Sequence, residues 1–172
     1  MSDNKPTCLP VILANIPIEL RKVPRWVMWS FVEVGDGESK RWAKMPLQTN
    51  GRYASSTNPE TWTDFLSVEQ AYNTSKFDGI GFVFSHDDDL VGIDLDDVYD
   101  QQAGFINAAM QQLASNINGY MEISPSGTGV KIFTRSNPFA THTDHAIGFE
   151  AYANSRFFTV TGHHLSGTIP DE

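Results

Sequence analysis

The sequence predicts an α+β fold, with a mostly antiparallel or mixed sheet, flanking helices and an N-terminal α/β lobe beside it. Three observations carry that expectation. Short apolar runs rich in β-branched and aromatic residues outnumber helical segments. The connections PSGTG and ANS are too short for a parallel crossover and favour antiparallel neighbours. The 172 residues are 40% apolar and include 11 Phe and 4 Trp, enough for the core of one domain or of two closely packed lobes.

Residues 1–14 read as a flexible lead-in, and residues 15–172 as the domain proper. Asn15 is a candidate cap for a short helix that ends near Pro24. RWVMWSFVEV (25–34) fits a strand, and GDGESK is a hairpin turn leading into RWAKMPL. Capping residues in SSTNPETWTD precede a helix with Trp62, Phe65, Leu66 and Ala71 on one side. GIGFVFS (79–85) and LVGIDLD (90–96) read as strands joined by an acidic turn. FINAAMQQLASNI (105–117) has Ile106, Ala109, Met110, Leu113 and Ile117 at helical spacing. YMEIS (120–124), GVKIFT (129–134), GFEAY (148–152) and RFFTVTG (156–162) complete the strands.

Cys8 is the sole cysteine, so neither an intramolecular disulfide nor a cysteine-rich zinc site can form. No run approaches the roughly 18 apolar residues of a spanning helix, and the N-terminus lacks the features of a signal peptide. These features suit a soluble, intracellular protein with no membrane partner. A formal net charge of -9 argues against a polybasic nucleic-acid binder, which gains affinity by releasing counterions from phosphates. Six of the 21 acids, however, fall between positions 87 and 97, so a cation-binding cluster accounts for part of the imbalance.

Within LVGIDLDD, strand alternation points Asp94 and Asp96 to one face and Ile93 and Leu95 to the other. Two like charges on one face repel, and a divalent cation with oxygen ligands, Mg2+ or Mn2+, removes the conflict. The competing reading is a solvated strand end with surface aspartates. In EISPSGTGVKIF, small turn residues let backbone N–H groups approach an anion, and Lys131 follows at the start of the next strand. GFEAYANSRFF then places Glu150 in an apolar strand, followed by Arg156. Each of these features also occurs in ordinary turns and surface hairpins.

In this order, GIDLDD, SPSGTGVKIF and GFEAY resemble the motifs of the archaeo-eukaryotic primase superfamily, in particular the primase-polymerase domains of phages and plasmids. The flanking AKMPL, ASSTNPETWTDF, GIGFVFS and RFFTVTG are similar to the phage members, and the resemblance spans about residues 25–163. It implies that Asp94, Asp96 and Glu150 are catalytic acids holding two Mg2+ or Mn2+ ions. It implies that Ser124, Ser126 and Gly127 belong to a nucleotide-phosphate turn, with Lys131, Arg156 and Lys44 as further nucleotide-binding groups. The family's second motif usually ends in His, and Lys131 stands there instead, a mobile point charge in place of an imidazole.

The implied activity is template-directed nucleotidyl transfer by a DNA primase-polymerase in phage or plasmid replication. Its partners would be a DNA template or primer, an NTP or dNTP, and a helicase or accessory region beyond residue 172, in the cytoplasm of a bacterial host. Two alternatives stay open on the sequence: a replication module that binds nucleotide or DNA without turnover, and a metal-dependent nuclease or phosphodiesterase. His86, His142, His145, His163 and His164 lack the spacing of a strong metal motif and read as loop residues. Trp26, Trp29, Trp42 and Trp62 offer stacking surfaces for bases, but core packing accounts for most of them.

Overall fold

The computed structural model describes residues 4–172. Its strands are β1 (Trp26–Val34), β2 (Arg41–Leu47), β3 (Gly79–Phe84), β4 (Leu90–Leu95), β5 (Tyr99–Asp100) and β6 (Gly104–Phe105). They continue with β7 (Tyr120–Ile123), β8 (Val130–Arg135), β9 (His142–Asp144), β10 (Phe149–Tyr152), β11 (Arg156–Val160) and β12 (His164–Ser166). The α-helices are α1 (Ile18–Arg21), α2 (Phe65–Tyr72) and α3 (Ala108–Ser115). A four-stranded sheet has the order β11-β3-β1-β2, a six-stranded sheet the order β12-β7-β8-β4-β10-β9, and β5 and β6 form a small ribbon. Every ladder among them is antiparallel.

Two apolar clusters hold these layers. On one face of the six-stranded sheet, Leu95, Met121, Val130 and Ile132 pack against Met110 and Ala114 of α3. The larger cluster joins Trp26, Met28, Ile80 and Phe82 of the four-stranded sheet to Phe65 and Val68 of α2, and reaches Tyr120 and Phe133 of the other sheet. At Gly92 in β4 the aromatic rings of the four-stranded sheet press directly on the six-stranded sheet. A Cβ there would lie 2.4 Å from the Phe158 ring and 2.5 Å from the Phe84 ring, so only glycine lets these rings seat against the strand.

The helix caps decide which apolar residues face inward. Asp64 accepts from the Ser67 N–H, so α2 starts at Phe65 and buries Phe65 and Val68, leaving Trp62 before the helix and Leu66 60% exposed. Asn107 accepts from the N–H groups of Ala109 and Met110, so α3 starts after Ile106, which stays exposed, as does Ala109. Asn15 is not a cap: α1 follows Pro17 without a side-chain cap, and the Asn15 amide donates to Gly162 O at 3.0 Å.

The segment expected to be a loose lead-in is tied down from Lys5 onward, residues 1–3 lying outside the described residues. Lys5 pairs with Asp78 at 2.8 Å, the Leu9 N–H donates to Pro125 O at 2.8 Å, and the Ile12 N–H donates to Thr161 O at 2.8 Å. The last two ties are made by hydrogen-bonding groups of the backbone, invisible in side-chain composition.

Candidate active site

Register across the six-stranded sheet builds the site. Glu122 of β7 lies opposite Lys131 of β8, Lys131 opposite Asp94 of β4, and Asp94 opposite Glu150 of β10. Directly opposed residues on antiparallel strands project to the same face, so four charged side chains form one row across four strands. The row on one side of it, Tyr120, Phe133, Gly92 and Tyr152, joins or borders the aromatic core. The row on the other side, toward the strand ends, holds Ser124, Gly129, Asp96 and Gly148, linked by Ser124 N–H to Gly129 O and Asp96 N–H to Gly148 O. The charged row therefore lies where the apolar interior gives way to solvent.

Within the row, Lys131 Nζ is 3.0 Å from Asp94 Oδ2, with both side chains largely buried, at 9% and 13% exposure. The same ammonium lies 4.4 Å from the centroid of the Phe158 ring. Asp94 Oδ1 is buried and has no hydrogen-bond partner among the described residues. Glu150 accepts from the Tyr152 hydroxyl at 2.9 Å and has Arg156 and His145 each at 3.9 Å. Glu122 is fully buried and accepts from Thr161 N–H at 2.8 Å, Gly162 N–H at 2.9 Å and the Tyr120 hydroxyl at 2.9 Å.

The charges perturb one another. Desolvation, and then the negative charge of Asp94, hold the Asp96 carboxyl above its ordinary value; Glu150 adds a smaller push and Lys131 opposes it. Because Asp96 is exposed, crowding by like charge is the more telling of these causes. Burial lowers Lys44, helped by the positive charge of Lys131 and opposed by Asp94 and Asp96. Burial pushes Glu122 up to about 7 against its hydrogen bonds and the attraction of Lys131.

Two clefts of opposite character flank the row. One, of about 160 Å3, is lined by Lys44, Lys131 and Arg156 with Asp94, Phe157 and Phe158. The other, of about 480 Å3, is lined by Asp96, Asp97 and Glu150 with Asn107, His145 and Ile147. A third hollow of about 270 Å3, between Asn15 and Ile169, lies away from this charge pattern and contains none of Asp94, Asp96 or Glu150.

The structure thus brings Asp94, Asp96, Glu150, Lys131, Lys44 and Arg156 to one region. Ser124, Ser126 and Gly127 lie at the adjoining end of the β7–β8 hairpin but line neither charged cleft. Their turn is closed on itself. The Ser124 and Ser126 hydroxyls are 3.0 Å apart, Ser126 is 2.9 Å from the Thr128 hydroxyl, and Thr128 donates to Asp97 at 3.2 Å. Gly127 has φ +80°, which the turn requires and a side chain would resist.

Glu122 was missed as a site residue, although its sequence signal was present. It lies two residues before Ser124 and so shares that residue's strand face, yet only the β7–β8 register shows it beside Lys131. Among the histidines, His142 and His164 lie in strands, His163 approaches Pro10 O at 2.6 Å, and His164 stacks on Tyr120. Trp26 and Trp29 are buried, while Trp42 and Trp62 are half-buried.

No group of three or more His, Cys, Asp or Glu side chains among the described residues is gathered as a finished cation cage. The donor set nevertheless suits a hard cation: an orphaned, buried Asp94 oxygen beside an Asp96 carboxyl crowded by like charge.

No family model matches the chain. A search of curated proteins finds a DNA primase-polymerase of Nitratiruptor phage NrS-1, 31% identical over 154 residues. The chain is similar to a phage primase-polymerase. The match covers 86% of this chain and 20% of the phage protein, so the chain spans about a fifth of that relative's length. A match of that length takes in both GIDLDD and SPSGTGVKIF, whereas each segment alone is a common strand or turn. Among the described residues, no helix is long and apolar enough to cross a membrane.

Proposed function

We propose that this chain carries out template-directed nucleotidyl transfer, joining nucleoside triphosphates on a DNA template as a primase-polymerase domain. The observation that carries the proposal is the partition of charge about Asp94. On one side lies a cleft with three cationic side chains, Lys44, Lys131 and Arg156, and on the other a cleft with three carboxylates, Asp96, Asp97 and Glu150. Similarity to the phage DNA primase-polymerase supports the same reading.

In this reading the cationic cleft receives the triphosphate, and Phe157 and Phe158 supply its apolar wall. Asp94 through Oδ1, Asp96 and Glu150 would hold two Mg2+ or Mn2+ ions. When bound, such ions lower the pKa of the primer 3'-hydroxyl and neutralise charge on the leaving pyrophosphate. Tyr152 and Arg156 orient Glu150 from one side, and the buried row beneath it keeps β4 and β10 in register. Lys44, exposed on β2 at the mouth of the cleft, meets the phosphates as a further positive charge.

The test is incubation of the protein with a primed DNA template, Mg2+ or Mn2+ and labelled dNTPs or NTPs. Extension of the primer is expected. Cleavage of the DNA without extension would assign the acids to a nuclease, and nucleotide binding with neither reaction would assign the site to a noncatalytic module.

A further inference from the structure

Lys131 is placed between two possible duties. Its ammonium occupies Asp94 Oδ2 at 3.0 Å, yet the same side chain lines the cationic cleft with Lys44 and Arg156. Glu122, its other neighbour in the row, is fully buried and fixed by three donors, so it stays in place behind Lys131 wherever that head group turns. A lysine on a flexible four-carbon stem can change partners without backbone movement, whereas a planar guanidinium is less free to do so.

We infer that Lys131 is an exchangeable counter-ion, which neutralises Asp94 until a divalent cation takes that carboxylate and whose released ammonium then serves the triphosphate in the adjoining cleft. The inference rests on the proposed reading of Asp94 as a metal ligand. Two features require some such device. One Asp94 oxygen is taken by Lys131 while the other is buried without a partner, and a bound Lys131 competes with any other cation for that carboxylate. Exchange makes the two ligands help each other: metal frees Lys131 for nucleotide, and nucleotide draws Lys131 away from Asp94. By linkage the enhancement must be equal in both directions. A histidine, with its short arm and its uncharged form at neutral pH, would not supply the same permanent counter-charge.

The experiment measures Mn2+ binding by calorimetry at about pH 8 without nucleotide, then binding of a nonhydrolysable dNTP analogue with and without Mg2+. The chains compared are the parental protein, Lys131→Met, Lys131→Gln and Lys131→Arg. Met and Gln remove the competing charge, and each should bind Mn2+ alone on the order of ten-fold more tightly than the parental chain. Both should also lose most of the parental enhancement of analogue affinity by Mg2+. Arg keeps the charge and should bind Mn2+ no more tightly than the parental chain.

Gln retains a donor for Asp94 and covers the case in which Met fails to fold. The parental chain gives an independent readout. Added Mg2+ should shift the side-chain NMR signal of Lys131, identified by its absence in Lys131→Arg, and an unmoved signal would overturn the exchange. Parental Mn2+ binding that Met and Gln leave unchanged or weaken would also overturn it, with the metal reading intact. Absence of Mn2+ binding in every chain would overturn the metal reading itself, and the exchange with it.

Discussion

The Tyr120 hydroxyl donates to Glu122 Oε2 at 2.9 Å from two residues away on the same strand face, and together they place a carboxylate where no solvent reaches it. Burial raises Glu122 from 4.5 to about 7. Below 4.5 the folded and unfolded chains both hold the proton, and the stability associated with the neutral form is fully present. As pH rises from 4.5 to about 7, the unfolded chain gives up its proton first, so the folded state binds more protons and stability falls with pH. Above about 7 that contribution is gone. Denaturant unfolding at several pH values should therefore show the parental chain losing stability relative to Glu122→Gln across this window. A pH-independent difference between the two would mean that Glu122 titrates ordinarily.

Gly92 sets a steric prediction of a different kind. Its missing Cβ would fall within 2.5 Å of both Phe84 and Phe158, and these rings are buried and cannot swing clear. Gly92→Ala should cost about 1–3 kcal/mol of folding stability, the usual range for overpacking a filled core. The midpoint of denaturant unfolding reads this directly. An unchanged midpoint would show that the two sheets separate more easily than their packing indicates.

These two residues also show where sequence reading stops. Alternation in LVGIDLD was enough to put Asp94 and Asp96 on one face and Ile93 and Leu95 on the other, and Ile93 and Leu95 do pack toward α3. Nothing in that segment tells which strand lies beside it, so neither the approach of Phe158 to Gly92 nor the pairing of Lys131 with Asp94 could be read. Both depend on register between strands about 40 to 65 residues apart in sequence. Helix faces failed for a local reason. Asp64 and Asn107 each start a helix later than apolar spacing suggested, which moved Val68 and Ala114 inward and left Leu66 and Ile106 outside. The strands β5, β6, β9 and β12 are two or three residues long, too short for periodicity to reveal.

Template affinity should be weak without cations. The formal net charge is -9, and template phosphates would meet Asp96, Asp97 and Glu150 along one cleft. Bound divalent ions reverse the local field, so affinity should rise markedly when Mg2+ or Mn2+ and a matching nucleotide are present. Fluorescence anisotropy of a labelled template at constant ionic strength measures this. Tight binding that ignores the metal would shift recognition to a basic surface and favour a DNA-binding module.

The proposed function assigns Asp94 and Asp96 to chemistry and not to folding. Desolvation and then the charge of Asp94 already hold Asp96 above its ordinary value. Asp94 is paired with Lys131, so its removal costs some stability but leaves that flexible lysine the adjoining cleft to turn to. The direct measurement is primer extension by Asp94→Ala with Asp96→Ala, alongside circular dichroism and thermal unfolding of the same preparation. A folded protein is expected, with nucleotide incorporation lower by roughly 10²-fold or more, comparable to the loss of a contact that stabilises transition-state charge. A folded double variant that extends primers at the parental rate would contradict that assignment.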